Sequence, residues 1–153
     1  MAGKKKLEHF AEMKLFPHVF EPELDEVFRT NYKMKGNWRK DFFKNDNPLV
    51  VEFGCGKGEY SVGMGRKFPN KNFIGVDIKG ARMWRGAKTA EEENLKNIAF
   101  LRTRIEFIEG CFAKNEITNF ASYNGSCSNY ILDYGDHNDR LDSRLGDYFN
   151  RIL

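Results

Sequence analysis

Glu52, Gly54, Gly56, Gly58 and Asp77 are the residues of this chain whose types and spacing best suit chemistry. Val50-Val51-Glu52-Phe53 is an apolar run carrying one acid, and Gly54-Cys55-Gly56-Lys57-Gly58-Glu59 then places glycine at every second position. A second apolar run, Phe73-Ile74-Gly75-Val76, closes on Asp77. The order reads as strand, glycine turn, helix and strand, with an acid at each strand tip. Glycine accepts positive φ and lets the main chain come close to a ligand. The helix beyond the turn offers unpaired N–H groups. A dinucleotide pyrophosphate uses such groups with GxGxxG spacing. Here the spacing is GxGxG, and Glu52 sets negative charge against a pyrophosphate. A sulfonium cofactor with an amino-acid tail instead brings an ammonium group that suits Glu52, while Asp77 suits two ribose hydroxyls. The pattern favours S-adenosylmethionine over NAD. The Gly-Lys-Ser/Thr ending of a P-loop is missing after Lys57.

The elements that must hold these residues are legible on either side. Leu49 to Phe53 is predicted as a buried strand, Glu59 to Phe68 as a helix stopped by Pro69, and Asn72 to Asp77 as a strand. Gly80 to Glu93 is predicted as a helix with Met83, Ala87 and Ala90 inward, and Asn97 to Leu101 as a third strand. Arg104 to Phe112 reads as a helix carrying Ile105, Ile108 and Phe112. Strands alternating with helices of this length predict an α/β fold, a parallel sheet with right-handed crossovers. Before this core, residues 4 to 16 read as a short helix with Leu7, Phe10, Ala11 and Lys14 on one side. Residues 17 to 35 are weakly periodic, and Asn37 is placed to cap a short helix bearing Trp38, Phe42 and Phe43. After Glu116, residues 118 to 129 read as loop, Tyr130-Ile131-Leu132 as a strand, and 139 to 153 as an amphipathic helix. The expected organisation is one domain over 1–153, with an N-terminal extension (1–47), a cofactor-binding core (48–117) and a divergent C-terminal segment (118–153).

Composition bounds the function classes. The 153 residues suffice for one domain with a core, and at 41% apolar residues the chain is globular rather than disordered. No apolar run approaches the ~20 residues of a membrane span. Cys55, Cys111 and Cys127 are odd in number and lack CxxC spacing, which predicts reduced thiols in a cytoplasmic protein. His9, His18 and His137 are too dispersed for a metal site. Net charge is only +3, but Lys4-Lys5-Lys6, the Lys33/Lys35/Arg39/Lys40/Lys44 cluster and the Lys79/Arg82/Arg85/Lys88 series gather positive charge in the first 90 residues. Such a half suits a polyanion such as RNA, or is a solvated surface. Arg82, Arg85 and Lys88 recur every third position and are the candidate phosphate contacts. Trp84 is expected in the core rather than in support of the cofactor site, the two readings open to it, and Cys55 is expected to contribute its backbone only.

The run from Gly54 to Glu59, followed by Phe73-Ile74-Gly75-Val76-Asp77-Ile78-Lys79-Gly80-Ala81-Arg82-Met83-Trp84, closely resembles the bacterial tRNA (guanine-N7)-methyltransferases, Bacteroidetes-type members above all. The likeness extends from about Lys6, through Phe16-Pro17-His18-Val19-Phe20, to Phe100-Leu101-Arg102-Thr103-Arg104-Ile105-Glu106-Phe107-Ile108, and ends near Glu116. It implies a Rossmann-like fold that binds S-adenosylmethionine and methylates a guanine in the variable loop of tRNA. It places Glu52 near the methionine end, Asp77 on the ribose, and Ile105 at the adenine beside Arg104 and Glu106, with Ile78 also among the cofactor-binding residues. Many relatives carry Asp where Arg104 stands. The family's Trp-Leu-x-Phe-Pro/Ser-Asp-Pro motif, whose Asp serves the guanine, is missing: Thr118-Asn119-Phe120-Ala121 follows Ile117, and no Asp-Pro occurs anywhere. The catalytic residues are therefore left unassigned. Two readings follow, a tRNA guanine-N7 methyltransferase or a cofactor-binding module without the guanine site. A nicotinamide-linked oxidoreductase is a third, disfavoured by the glycine spacing.

Overall fold

The computed structural model describes residues 2–122 and 130–132. Its centre is a six-stranded sheet in the order β1-β4-β3-β2-β5-β6. The strands are β1 (Val19–Phe20), β2 (Leu49–Phe53), β3 (Asn72–Asp77), β4 (Ile98–Arg102), β5 (Asn119–Ser122) and β6 (Tyr130–Leu132). All neighbours run parallel except β5 and β6, which are antiparallel. The helices are α1 (Ala2–Met13), α2 (Leu24–Phe28), α3 (Glu59–Lys67), α4 (Gly80–Glu92) and α5 (Ile108–Cys111).

The pleat sends alternate side chains to opposite faces, and each face has its own core. Leu49, Val51, Phe53, Ile74, Val76, Ala99 and Leu101 meet Trp38, Phe43, Ile108 and Phe112 on one face. Ile98 and Phe100 meet Met13, Val62, Met83, Ala87 and Ala90 on the other. Glu52 sits between Val51 and Phe53 and so points to the second face, under α3. The central strands are buried on both sides, which is why they read as continuous apolar runs rather than alternating ones.

Several expectations change. The loop expected over 118 to 129 contains β5, whose residues 119 to 122 pair with Val50 to Phe53 of β2. Its polar ends hid it, since pairing with a central strand stabilises it more than its own composition does. The weakly periodic 17 to 35 holds β1 on the sheet edge and α2. The single helix expected from Arg104 to Phe112 is a 3₁₀ turn, Ile105–Phe107, followed by the one-turn α5. Ile108 and Phe112 are buried as expected, while Ile105 stays half-buried at the surface. Asn37 precedes a π-helical turn, Trp38–Phe43, but its side chain does not cap it. It donates instead to the carbonyls of Lys33 and Lys35. The cap is Glu116, whose carboxylate accepts the N–H groups of Gly36 (2.8 Å), Trp38 (3.2 Å) and Ala113 (2.9 Å). Of the α1 side read from the sequence, Phe10 docks while Leu7 is 71% exposed, and the helix packs through His9, Phe10, Glu12 and Met13. The helix expected over 139 to 153 lies outside the described residues, as do Cys127 and His137.

Candidate functional site

The site is built where β2 and β3 end side by side. Glu52 pairs in register with Gly75, and Phe53 with Val76. The chain then folds over the end of β3, with the N–H groups of Gly54 and Cys55 both donating to the Val76 carbonyl (2.8 and 3.0 Å). Gly54, Gly56 and Gly58 all have positive φ, at 72°, 55° and 72°, which is what the alternating glycines are for. At Gly58 space forbids a side chain as well, since a Cβ would lie 2.5 Å from the Phe100 ring. Cys55 contributes its backbone to the turn, and burial raises its thiol pKa well above the usual value.

Asp77 ties the two strand tips together. Its Oδ2 accepts the Gly56 N–H at 2.8 Å and its Oδ1 accepts the Lys79 N–H at 2.8 Å. The carboxylate is thus fixed in orientation beside the turn and remains half-buried. Glu52 is held differently. Both Ser61 donors converge on one oxygen, Oε2, at 2.6 Å from Oγ and 3.1 Å from N. Among the described residues Oε1 takes no hydrogen bond. Burial raises the Glu52 pKa to about 7; the Ser61 bonds oppose this and the neighbouring Asp77 charge adds to it. The Tyr60 hydroxyl, next along α3, is buried without a hydrogen-bond partner, and burial followed by the Glu52 charge raises its pKa. An unpaired buried hydroxyl is costly and marks a place where a polar ligand group would be welcome. Ser61 and Tyr60 were not picked out from the sequence. The signal available was their place in the first turn of the helix after the glycines.

The rest of the site is apolar or cationic. Ile78, directly after Asp77, is 50% exposed. Arg104 and Glu106 pair with each other at 3.1 Å, flanking half-buried Ile105 at the end of β4. The Glu106 pKa is lowered by its own backbone N–H first and by Arg104 second. Arg82 and Arg85 are exposed, and the Arg82 guanidinium lies over the turn, 3.6 Å from where a Gly56 Cβ would be. Lys88 does not belong with them. It is bonded to Glu12 of α1, which also accepts the Trp84 indole N–H at 2.7 Å. That pairing sets its charge toward holding α1. Trp84 is half-buried rather than a core residue, stacked on His9 with ring centres 3.7 Å apart. His18, also missed as a structural element, ties β1 to α4 through the Ala87 carbonyl at 2.9 Å. Among the described residues no group of three His, Cys, Asp or Glu could hold a metal, and no helix is long and apolar enough to cross a membrane.

Residues 46–121 match a family model described as putative methyltransferase. The chain is 59% identical over 116 residues to a tRNA (guanine-N(7)-)-methyltransferase of Bacteroides fragilis, covering 76% of this chain and 46% of that one. It is 56% identical over 118 residues to the tRNA (guanine-N(7)-)-methyltransferase of Christiangramia forsetii, covering 77% and 53% respectively. The chain thus spans about half the length of these curated relatives. Among solved structures, PKMT2 from Rickettsia typhi in complex with AdoHcy aligns with a TM-score of 0.48 and 17% identity, over 90% of this chain and 24% of that one. The resemblance read from the residues is borne out by the sequence relatives.

Proposed function

We propose that this chain, which matches the putative methyltransferase family over residues 46–121, binds S-adenosylmethionine at the tips of β2 and β3 and transfers its methyl group to N7 of a guanine in tRNA. One observation carries the cofactor half: two carboxylates, Glu52 and Asp77, are fixed on either side of a three-glycine turn, Asp77 through the Gly56 N–H at 2.8 Å. The residues suit the group. Among the described residues Glu52 Oε1 accepts no hydrogen bond, which leaves it for the cofactor's ammonium, and the Tyr60 hydroxyl is likewise without a partner. Asp77, already oriented by two backbone donors, has acceptor capacity left for ribose hydroxyls. Ile78 offers an exposed apolar surface and Ile105 a half-buried one to the adenine.

When bound, the cofactor supplies an electrophilic methyl on a sulfonium. Guanine N7 carries a lone pair and no proton, so no residue has to act as a base at that atom. What the protein must supply is in-line placement of N7. Arg82 and Arg85 are the described candidates for holding RNA phosphates near the turn.

Calorimetry with S-adenosylmethionine, its demethylated product and NAD tests the cofactor, and tighter NAD binding would sink the reading. Asp77→Ala is expected to weaken S-adenosylmethionine binding by about 1–3 kcal/mol, the scale of hydrogen bonds to a charged acceptor. Methyl incorporation into unmodified tRNA, with the product nucleoside identified, tests the transfer. The missing Asp-Pro motif favours a second reading, a cofactor-binding module without the guanine site. Cofactor binding with no methyl incorporation would select it.

A further inference from the structure

We propose that Lys4, Lys5 and Lys6, carried past the start of α4 by the way α1 docks, form with Lys79 and Arg82 a cationic rim beside the Glu52–Asp77 site that grips the phosphate backbone of the RNA; this rests on the tRNA reading above.

The docking fixes the placement. Phe10 lies against Gly80, the first residue of α4, where an added Cβ would be 2.8 Å from its ring. His9 stacks on Trp84, one turn along. Glu12 bonds Trp84 and Lys88, and Met13 is buried in the cluster with Ala87 and Ala90. Contacts advance along both helices together, so α1 and α4 run parallel. Gly80 follows Asp77 by one short turn, so the start of α4 marks the carboxyl edge of the sheet, where the site lies. Residues 4 to 6 precede Phe10 by four to six positions on the same helix. At about 1.5 Å per residue they stand roughly 6–9 Å beyond that edge.

Among the described residues, charge on this side is unbalanced. Lys4, Lys5, Lys6, Lys79 and Arg82 are all exposed. Nearby acids are largely committed: Glu12 to Lys88 and Trp84, Glu21 to Arg102, and Asp77 to the turn. Glu8 is exposed, the one acid on α1 without such a commitment. Arg102, over the Phe10 ring at 4.7 Å, braces the base of the rim. Lysines on a helix end, with no acidic partner among the described residues, carry no base-reading geometry but suit phosphates, where each contact releases counterions.

The test is tRNA binding by the full chain, followed by anisotropy from about 50 to 200 mM salt. Two variants carry the same change in net charge. One is Lys4→Glu/Lys5→Glu/Lys6→Glu. The other is Lys67→Glu/Lys71→Glu/Lys96→Glu, at the opposite edge of the sheet, where α3 and α4 end and β3 and β4 begin. The rim variant is expected to bind tRNA at least about tenfold more weakly with a shallower salt dependence. The opposite-edge variant should stay within about twofold, and S-adenosylmethionine affinity should be unchanged in both. Equal losses in the two variants, or none in the first, would overturn the rim while leaving the methyl-transfer reading intact. Failure of the unaltered chain to bind tRNA would remove the RNA reading itself, and the rim with it. Lys4→Ala/Lys5→Ala/Lys6→Ala, expected to lose about threefold, decides the matter if charge reversal unseats α1.

Discussion

Glu52 is the residue on which the site and the stability of the fold pull in opposite directions. Its pKa in the folded chain is about 7, raised chiefly by burial, against about 4.3 in an unfolded one. The folded state therefore keeps this proton where the unfolded state has lost it. Stability from this group is full below about pH 4 and falls as pH rises to about 7, by roughly 4 kcal/mol. Glu52→Gln should flatten that fall and make the chain more stable than the parent at pH 8, in urea melts taken at several pH values. It should also lose cofactor affinity, because only the ionised form attracts an ammonium. For the parent, S-adenosylmethionine binding should tighten as pH rises through 7. Ser61 acts through Glu52 rather than on the ligand, since both of its donors fall on Oε2. Ser61→Ala should shift that pH profile upward, and Ser61→Thr should restore it, in calorimetry repeated across the same range. A lost packing contact alone would lower affinity without moving the profile.

Among the elements, α4 and the glycine turn fit so closely that they respond as one. A Cβ on Gly86 would lie 2.6 Å from the Lys57 carbonyl oxygen, which belongs to backbone and cannot swing away. Alanine gains about 1 kcal/mol of helix propensity over glycine, but overpacking costs about 1–3 kcal/mol. Gly86→Ala is expected to lower both the melting temperature and the affinity for S-adenosylmethionine, and an unchanged affinity would uncouple α4 from the turn. The close approach was invisible in the sequence, although the turn and helix were each legible. β2, α3, β3 and α4 could be read because their apolar periods and glycine or proline stops are local. β5 could not: Asn119 and Ser122 look like loop, and the strand exists through its pairing with β2. The Glu116 cap likewise joins residues about eighty positions apart in sequence, beyond the reach of any local pattern. Of the site, the glycines and both acids were legible. The pairing of Lys88 with Glu12 was not legible, because the partner lies on another helix.

Taken whole, the chain commits its first 47 residues to both faces of the sheet. Met13 is fully buried against α4, and Trp38 is fully buried against Phe112, with its indole N–H on the Cys111 carbonyl at 2.9 Å. Losing one buried aromatic of this size costs about 3–5 kcal/mol, a large part of an ordinary domain's stability. Deleting residues 1–47 should therefore yield a chain without a cooperative thermal transition by circular dichroism. A sharp transition would show that the later strands stand alone. The two tryptophans, Trp38 and Trp84, sit in unlike surroundings: one sealed in the interior, the other face to face with an imidazole at the α1–α4 seam. An indole lying flat on His9 has its emission quenched by contact. Light from this chain should therefore come mostly from Trp38, and whatever lifts the lysine-bearing helix off its neighbour would announce itself as a second, redder glow.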